Sequence, residues 1–170
     1  ILGTGVGGGQ IVGKRLVTGP NGVNGEWGHL PLPHYVPEDG PLVVCHCGRI
    51  GCIETLISGG GLVRLHRHLH PEAAAVAAHE IALLAGQGNA AALATLDHFA
   101  HLVARGLTMI VLTLDPDAIV IGGGLRDLPQ FWPKVRERIP HYCFIKNLQT
   151  TILPARFDAD SGVRGAAWLS

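Results

Sequence analysis

The 170-residue chain is 47% apolar and only 15% charged, which excludes a disordered polypeptide and supplies core for one large domain or a domain pair. Thirteen basic and thirteen acidic residues cancel, so the charge balance points neither to nucleic acid nor to an anionic membrane surface. The longest apolar runs, such as residues 109–114, are too short to span a bilayer.

The chain opens on Ile1-Leu2 without an initiator Met, and these residues read as the end of a buried strand. The expectation is that further residues stand upstream. Gly3-Thr4-Gly5-Val6-Gly7-Gly8-Gly9 follows as a glycine loop. Gln10-Ile11-Val12 and Arg15-Leu16-Val17 flank Gly13-Lys14, which predicts a hairpin turn. Residues 19–52 carry Pro20, Pro31, Pro33, Pro37 and Pro41 and read as an irregular region that needs an external staple. From Ile53 the pattern turns helical. Ser58 caps a helix through Leu62, Leu65 and Leu69, and its weak start, Gly59-Gly60-Gly61, suggests close packing or a ligand. A second helix is predicted over 73–85, stopping at Gly86-Gln87-Gly88. Asn89 then caps a long one, with Leu93, Leu96, Phe99, Val103, Leu107, Ile110 and Leu114 at three- and four-residue steps. Asp115-Pro116-Asp117 ends it. Ala118–Ile121 reads as a short buried strand running into Gly122-Gly123-Gly124. A helix near 128–139 with Pro133 in its first turn, a strand at 150–153 and a terminal helix over 160–169 complete the chain. Alternating strands and helices with glycines at strand ends predict an α/β fold with ligands at the strand tips.

Backbone N–H groups of the first glycine loop can converge on a phosphate, and Thr4 adds a hydroxyl donor. A plain tight turn would use the same glycines, and the Lys-Ser/Thr ending of a Walker A loop is missing. Gly122, Gly123 and Gly124 offer a side-chain-free surface for adenine or ribose, or a tight strand-to-helix turn.

Cys45, Cys47 and Cys52 lie within eight residues, with Gly48 and Gly51 to let the chain curl. Clustered thiols in a cytosolic-looking chain read as metal ligands rather than as a disulfide framework. Zinc takes four such ligands, and a complete protein set makes the site structural. His29, His34 and His46 are each candidates for the fourth place; His46, between two ligands, would need awkward geometry. Cys143 reads as a core thiol. Glu26 and Glu54 flank the loop and could accept hydrogen bonds from sugar hydroxyls or serve as solvated capping groups. His66, His68, His70 and His79 lie on predicted helices without convergence and read as structural.

Together these motifs resemble the bacterial ROK family, named for repressors, open reading frames and kinases. The resemblance rests on Glu26-Trp27-Gly28-His29 and on Cys45-His46-Cys47-Gly48-Arg49-Ile50-Gly51-Cys52-Ile53-Glu54. It begins at the Ile1 to Gly9 segment and continues through Asp115-Pro116-Asp117 and the 119–124 strand end. It closes on Asp160-Ser161-Gly162-Val163-Arg164-Gly165-Ala166-Ala167. It implies an α/β, actin-like, ribonuclease-H-like ATPase lobe with a zinc-stapled loop, residues 1–170 being the C-terminal lobe of a sugar kinase. By it, Thr4, Gly5, Gly7 and Gly8 form the second phosphate loop, and Gly122, Gly123 and Gly124 line the adenosine end of ATP. Glu26, His29 and Glu54 contact sugar hydroxyls. His29 also completes a structural zinc set with Cys45, Cys47 and Cys52.

The activity implied is phosphorylation of a hexose at O6 by ATP with magnesium, in the cytoplasm, by a full-length protein that forms a homodimer. The family's proton-accepting aspartate belongs to the N-terminal lobe. None of Asp39, Asp97, Asp115 or Asp117 sits in a matching context, so no catalytic base is assigned and this chain alone is expected to be inactive. The flanks Pro31-Leu32-Pro33 and Ile53-Glu54-Thr55-Leu56-Ile57-Ser58-Gly59 look most like the fructokinase/mannokinase branch, with N-acetylglucosamine kinases next. The rival reading is a sugar-responsive repressor of the same family, which would bind nucleic acid through a separate helix-turn-helix.

Overall fold

The computed structural model describes residues 1–128, 131–157 and 161–168. Its centre is α4 (Ala90–Leu114), a 25-residue helix that starts where Asn89 Oδ1 accepts the Ala92 N–H at 3.0 Å. It ends where Asp115 adopts the left-handed conformation. Its buried face, Phe99, Leu102, Val103, Leu107 and Val111, packs against α1 (Ile53–Ile57), α2 (Gly59–Leu69), α3 (Ala78–Gly86) and α5 (Phe131–Arg138). Ser58 caps α2 through the Gly61 N–H, 3.2 Å from its hydroxyl.

The predicted hairpin is present. β1 (Ile11–Val12) pairs antiparallel with β2 (Arg15–Leu16), and both turn residues, Gly13 and Lys14, have positive φ, as a two-residue turn of the primed kind requires. β3 (Ala118–Ile121) pairs parallel with β4 (Thr151–Pro154), Ala118 opposite Thr151, across a connection that carries α5. α6 (Ser161–Ala167) lies within the predicted terminal helix, whose ends Asp160 and Leu169 fall outside the described residues.

Two expectations are corrected. The helix predicted from residue 73 begins at Ala78, because its first cap arises at Ala77, whose N–H donates to Glu80 Oε2 at 2.6 Å. The alanines before it have no such partner and stay irregular. β3 is not a buried strand: only Ile121 is buried, and Val120 is 60% exposed. The Leu2 N–H donates to the Gly122 carbonyl at 2.8 Å, so the chain's opening residues run against the tip of β3. Gly123 has a φ of +88°, and a side chain there would collide with the Leu2 carbonyl, which is why the strand tip is glycine.

The proline-rich stretch between His29 and Cys45 is tied to α4 by a contact the sequence did not suggest. Asp39 is buried, and Arg105 from α4 reaches its Oδ1 at 2.6 Å while donating to the His34 carbonyl at 2.7 Å. His98 Nε2 stands 3.1 Å from the same oxygen, and the Val36 N–H is 2.9 Å from Oδ2. Burial alone would raise the pKa of this carboxyl, but Arg105, Val36 and His98 outweigh it and hold it below the ordinary carboxylate value.

Candidate functional site

The loop closes on itself through backbone contacts. The Ile53 N–H donates to the Leu30 carbonyl at 2.8 Å, and Pro31 bridges to Cys52, so the chain just after His29 lies beside the start of α1. Between them, Val44 bridges to Ile50, the Cys45 N–H donates to the Arg49 carbonyl, and the Gly48 N–H donates to the Cys45 carbonyl. Gly48 and Gly51 supply the positive φ that this knuckle needs. The short turn Trp27–His29 is pressed against the glycine loop: any side chain on Gly28 would strike the Val6 carbonyl.

These contacts bring His29, Cys45, Cys47 and Cys52 together, with their ligand atoms all within 4.8 Å of one another. His29 Nδ1 lies 3.5 Å from Cys45 Sγ, and Cys47 Sγ lies 3.6 Å from Cys52 Sγ. Ligand atoms bound 2.1–2.3 Å from the centre of a tetrahedron stand about 3.4–3.8 Å apart, so the cluster has the donor set of a zinc site, and these two edges have its length. The electrostatics agree. Arg49, through its backbone N–H and guanidinium, draws the exposed Cys47 thiol down to about 6, whereas burial and the neighbouring thiols push Cys52 up to about 11. His34 is elsewhere, its backbone held by Arg105. Cys52 and Cys143 are not paired, and Cys143 donates instead to the Ile139 carbonyl.

The two glutamates stand on the other side of the cluster. Glu26 Oε2 lies 3.6 Å from His29 Nε2, so the ring presents one nitrogen to the thiols and the other to a carboxylate. Glu54 Oε2 accepts the Val6 N–H at 2.9 Å, and its Oε1 is 3.0 Å from His46 Nδ1. Gly5 leaves the room for this: a Cβ there would come within 2.6 Å of Glu54 Oε2. The rings of His29 and His46 meet edge to face, 4.9 Å apart. His29, His46 and Glu54 thus form a second tight group sharing His29 with the first.

The glycine-rich positions divide between two hollows. Thr4 and Gly124 line one cleft of about 850 Å³, with Gly3, Gly59 and Gly60, under an apolar wall of Val63, Ala78, Ala82, Leu83 and Leu128. Gly7 and Gly8 line a different hollow of about 660 Å³ beside Glu26, Trp27 and Ile119. Gly5 packs under Glu54, while Gly122 lies against Ile1 and Gly123 against Leu2. The α3 wall of the first cleft went unread in the sequence, although the small residues Ala78 and Ala82, one helical turn apart, are a signal for it. The odd start of α2 was read: Gly59 and Gly60 face the cleft, whereas Gly61 has no room for a side chain beneath the Leu56 carbonyl.

The ROK family model matches residues 1–170. The chain belongs to the ROK family. It is 39% identical over 173 residues to an N-acetyl-D-glucosamine kinase of Escherichia coli, covering 99% of this chain and 56% of the relative. The ROK glucokinase of Streptomyces griseus, solved in complex with glucose and AMPPNP, is 31% identical. It superposes with a TM-score of 0.83, over 99% of this chain and 58% of that one. The ROK hexokinase of Thermus thermophilus is 32% identical with a TM-score of 0.78, over 99% and 54%. This chain therefore spans little more than half the length of the ROK relatives it matches, and it shares the actin-like, mixed α/β fold of the ROK kinases.

Proposed function

We propose that this chain supplies the sugar-facing wall, the zinc-stapled loop and part of the ATP cleft of a cytoplasmic, homodimeric sugar kinase. N-acetylglucosamine is the first acceptor to test. The observation that carries the reading is the hydrogen bond from the Val6 N–H to Glu54. It ties a carboxylate suited to sugar hydroxyls to a glycine loop suited to phosphates, so acceptor and donor sites abut. Phosphoryl transfer depends on such positioning and on charge stabilisation far more than on covalent chemistry of the protein.

In this reading Glu26, His29 and Glu54 hold the sugar ring, and the backbone of Thr4, Gly5, Gly7 and Gly8 faces the phosphates. The cleft of Thr4, Gly124 and α3 takes the adenosine, while Gly122 and Gly123, the other adenosine-end glycines of the resemblance, hold the strand tip beside it against Ile1 and Leu2. His29, Cys45, Cys47 and Cys52 would hold zinc, which when bound cross-links the loop and leaves no open coordination position. The match to N-acetylglucosamine kinases favours that acceptor over the fructose or mannose suggested by the flanks of the motifs. The cleft weighs against the repressor reading, since a repressor needs no nucleotide contacts.

The test is ADP release by the full-length protein with ATP and N-acetylglucosamine, glucose, mannose or fructose. The expected result is the highest kcat/KM with N-acetylglucosamine; turnover of none of the four would overturn the proposal. Glu26→Ala is expected to raise the sugar KM about 10- to 100-fold, as for a hydrogen bond to a charged group, with zinc content unchanged. An unmoved sugar KM would remove Glu26 from the sugar site.

A further inference from the structure

His46 lies between two of the thiol residues, yet the cluster of four is complete without it. Its Nδ1 is 3.7 Å from Cys45 Sγ but only 3.0 Å from Glu54 Oε1. A carboxylate only accepts, so in the neutral ring Nδ1 carries the hydrogen and Nε2 is left as an acceptor. The His46 side chain is 71% exposed, against 16% for Glu54 and 17% for His29. With the two imidazoles edge to face at 4.9 Å, the exposed His46 stands on the solvent side of the largely buried His29 and Glu54. The loop thus presents a continuous edge, Glu26, His29, His46, Glu54, of which His46 is the outermost member.

We infer that His46 is a further sugar-recognition residue: its Nε2 accepts a hydrogen bond from a ring hydroxyl or acetamido N–H of the sugar, while its Nδ1–H fixes the Glu54 carboxylate. The inference rests on the sugar-kinase reading above and deepens it. Two consequences follow from the geometry. Glu54 is held on both oxygens, Oε2 by the Val6 N–H and Oε1 by His46, with the Cys45 thiol farther off at 3.7 Å, so its plane is set before the sugar arrives. The sugar edge also carries acceptors at Glu26, Glu54 and His46, which suits a ligand dense in donors, as a hexose is.

The test compares His46→Leu, which keeps bulk and removes both nitrogens, with His46→Gln, which can still donate and accept. Both are made in the full-length, zinc-loaded protein. The expected result for His46→Leu is a sugar KM raised about 3- to 10-fold, with the ATP KM and one zinc per chain unchanged. His46→Gln should recover most of the loss. Monodeoxy analogues of the accepted sugar, and the analogue lacking the acetamido group, sharpen the result. One of them should lose affinity in the wild type but lose nothing further in His46→Leu, because its partner is already gone. An unmoved sugar KM in His46→Leu, or a loss shared by every analogue and accompanied by zinc release, would overturn the inference and make His46 a structural residue. If the wild type binds no hexose at all, the kinase reading falls and this inference with it. If it binds hexoses and His46→Leu is silent, only this inference falls.

Discussion

Cys52→Ser is expected to abolish stoichiometric zinc binding and to lower the melting temperature by roughly 10 °C. Cys52 is buried, precedes the first turn of α1, bridges to Pro31 and lies beside both Cys47 Sγ and the His29 carbonyl. It joins the front and back of the loop. A serine oxygen is a poor zinc ligand and too short to replace the thiolate, and a three-ligand remnant would leave Cys45 and Cys47 uncompensated. Without the cross-link, residues 30–51 keep few regular hydrogen bonds of their own, since the short turn Pro37–Asp39 is all the helix there. Metal analysis and calorimetry read the outcome. Cys143→Ser, a thiol outside the cluster, serves as control and should retain zinc fully. Full zinc occupancy in Cys52→Ser would mean that the cluster is not the metal site.

The second large effect is expected at the far end of the same loop. Arg105→Ala should destabilise the protein by about 3–5 kcal/mol, a fall of roughly 10–15 °C in Tm, because it leaves the buried Asp39 carboxylate without its main partner. It also frees the His34 carbonyl and removes the guanidinium from the Tyr142 ring, 5.8 Å away. Replacing the pair together, Asp39→Leu with Arg105→Met, should cost less than Arg105→Ala alone, since no charge is then stranded. The pH dependence has a definite sign. The folded-state pKa of Asp39 is lowered, so its contribution is fully present above the unfolded value of about 4 and is lost as pH falls through the folded value. Wild-type stability should therefore fall below about pH 4, and the double variant should show a shallower fall there. Melting curves between pH 3 and pH 7 check this; a full-strength acid transition in the double variant would assign the titration to other carboxyls.

What the sequence disclosed depended on how local the determining contacts are. The caps at Ser58 and Asn89, the hairpin turn at Gly13-Lys14 and the periodicity of α4 each reside within a few residues and were read with little displacement. The thiol cluster was legible for the same reason. Spacing alone left the fourth member open among His29, His34 and His46; the resemblance gave His29, and the Ile53 to Leu30 hydrogen bond helps fold the loop so that His29 joins the thiols. The Asp39–Arg105 pair spans 66 positions, and neither residue is unusual in its neighbourhood. The exposure of β3 was missed because an apolar run reports what could be covered, not what covers it. The His29 to Cys45 connection is shaped by its tie to α4, whereas the residues proposed to recognise the ring stand outside it or at its ends.

The central claim is that one loop has two sides, with a metal cluster that holds Glu26, His29 and Glu54 against the sugar. It is tested most directly by titrating N-acetylglucosamine into the full-length protein before and after complete removal of zinc by a chelator. The account predicts that stripping weakens binding by about 100-fold or more, that added zinc restores it, and that Glu26→Ala weakens binding while keeping its zinc. Sugar affinity unchanged in the metal-free protein would contradict it.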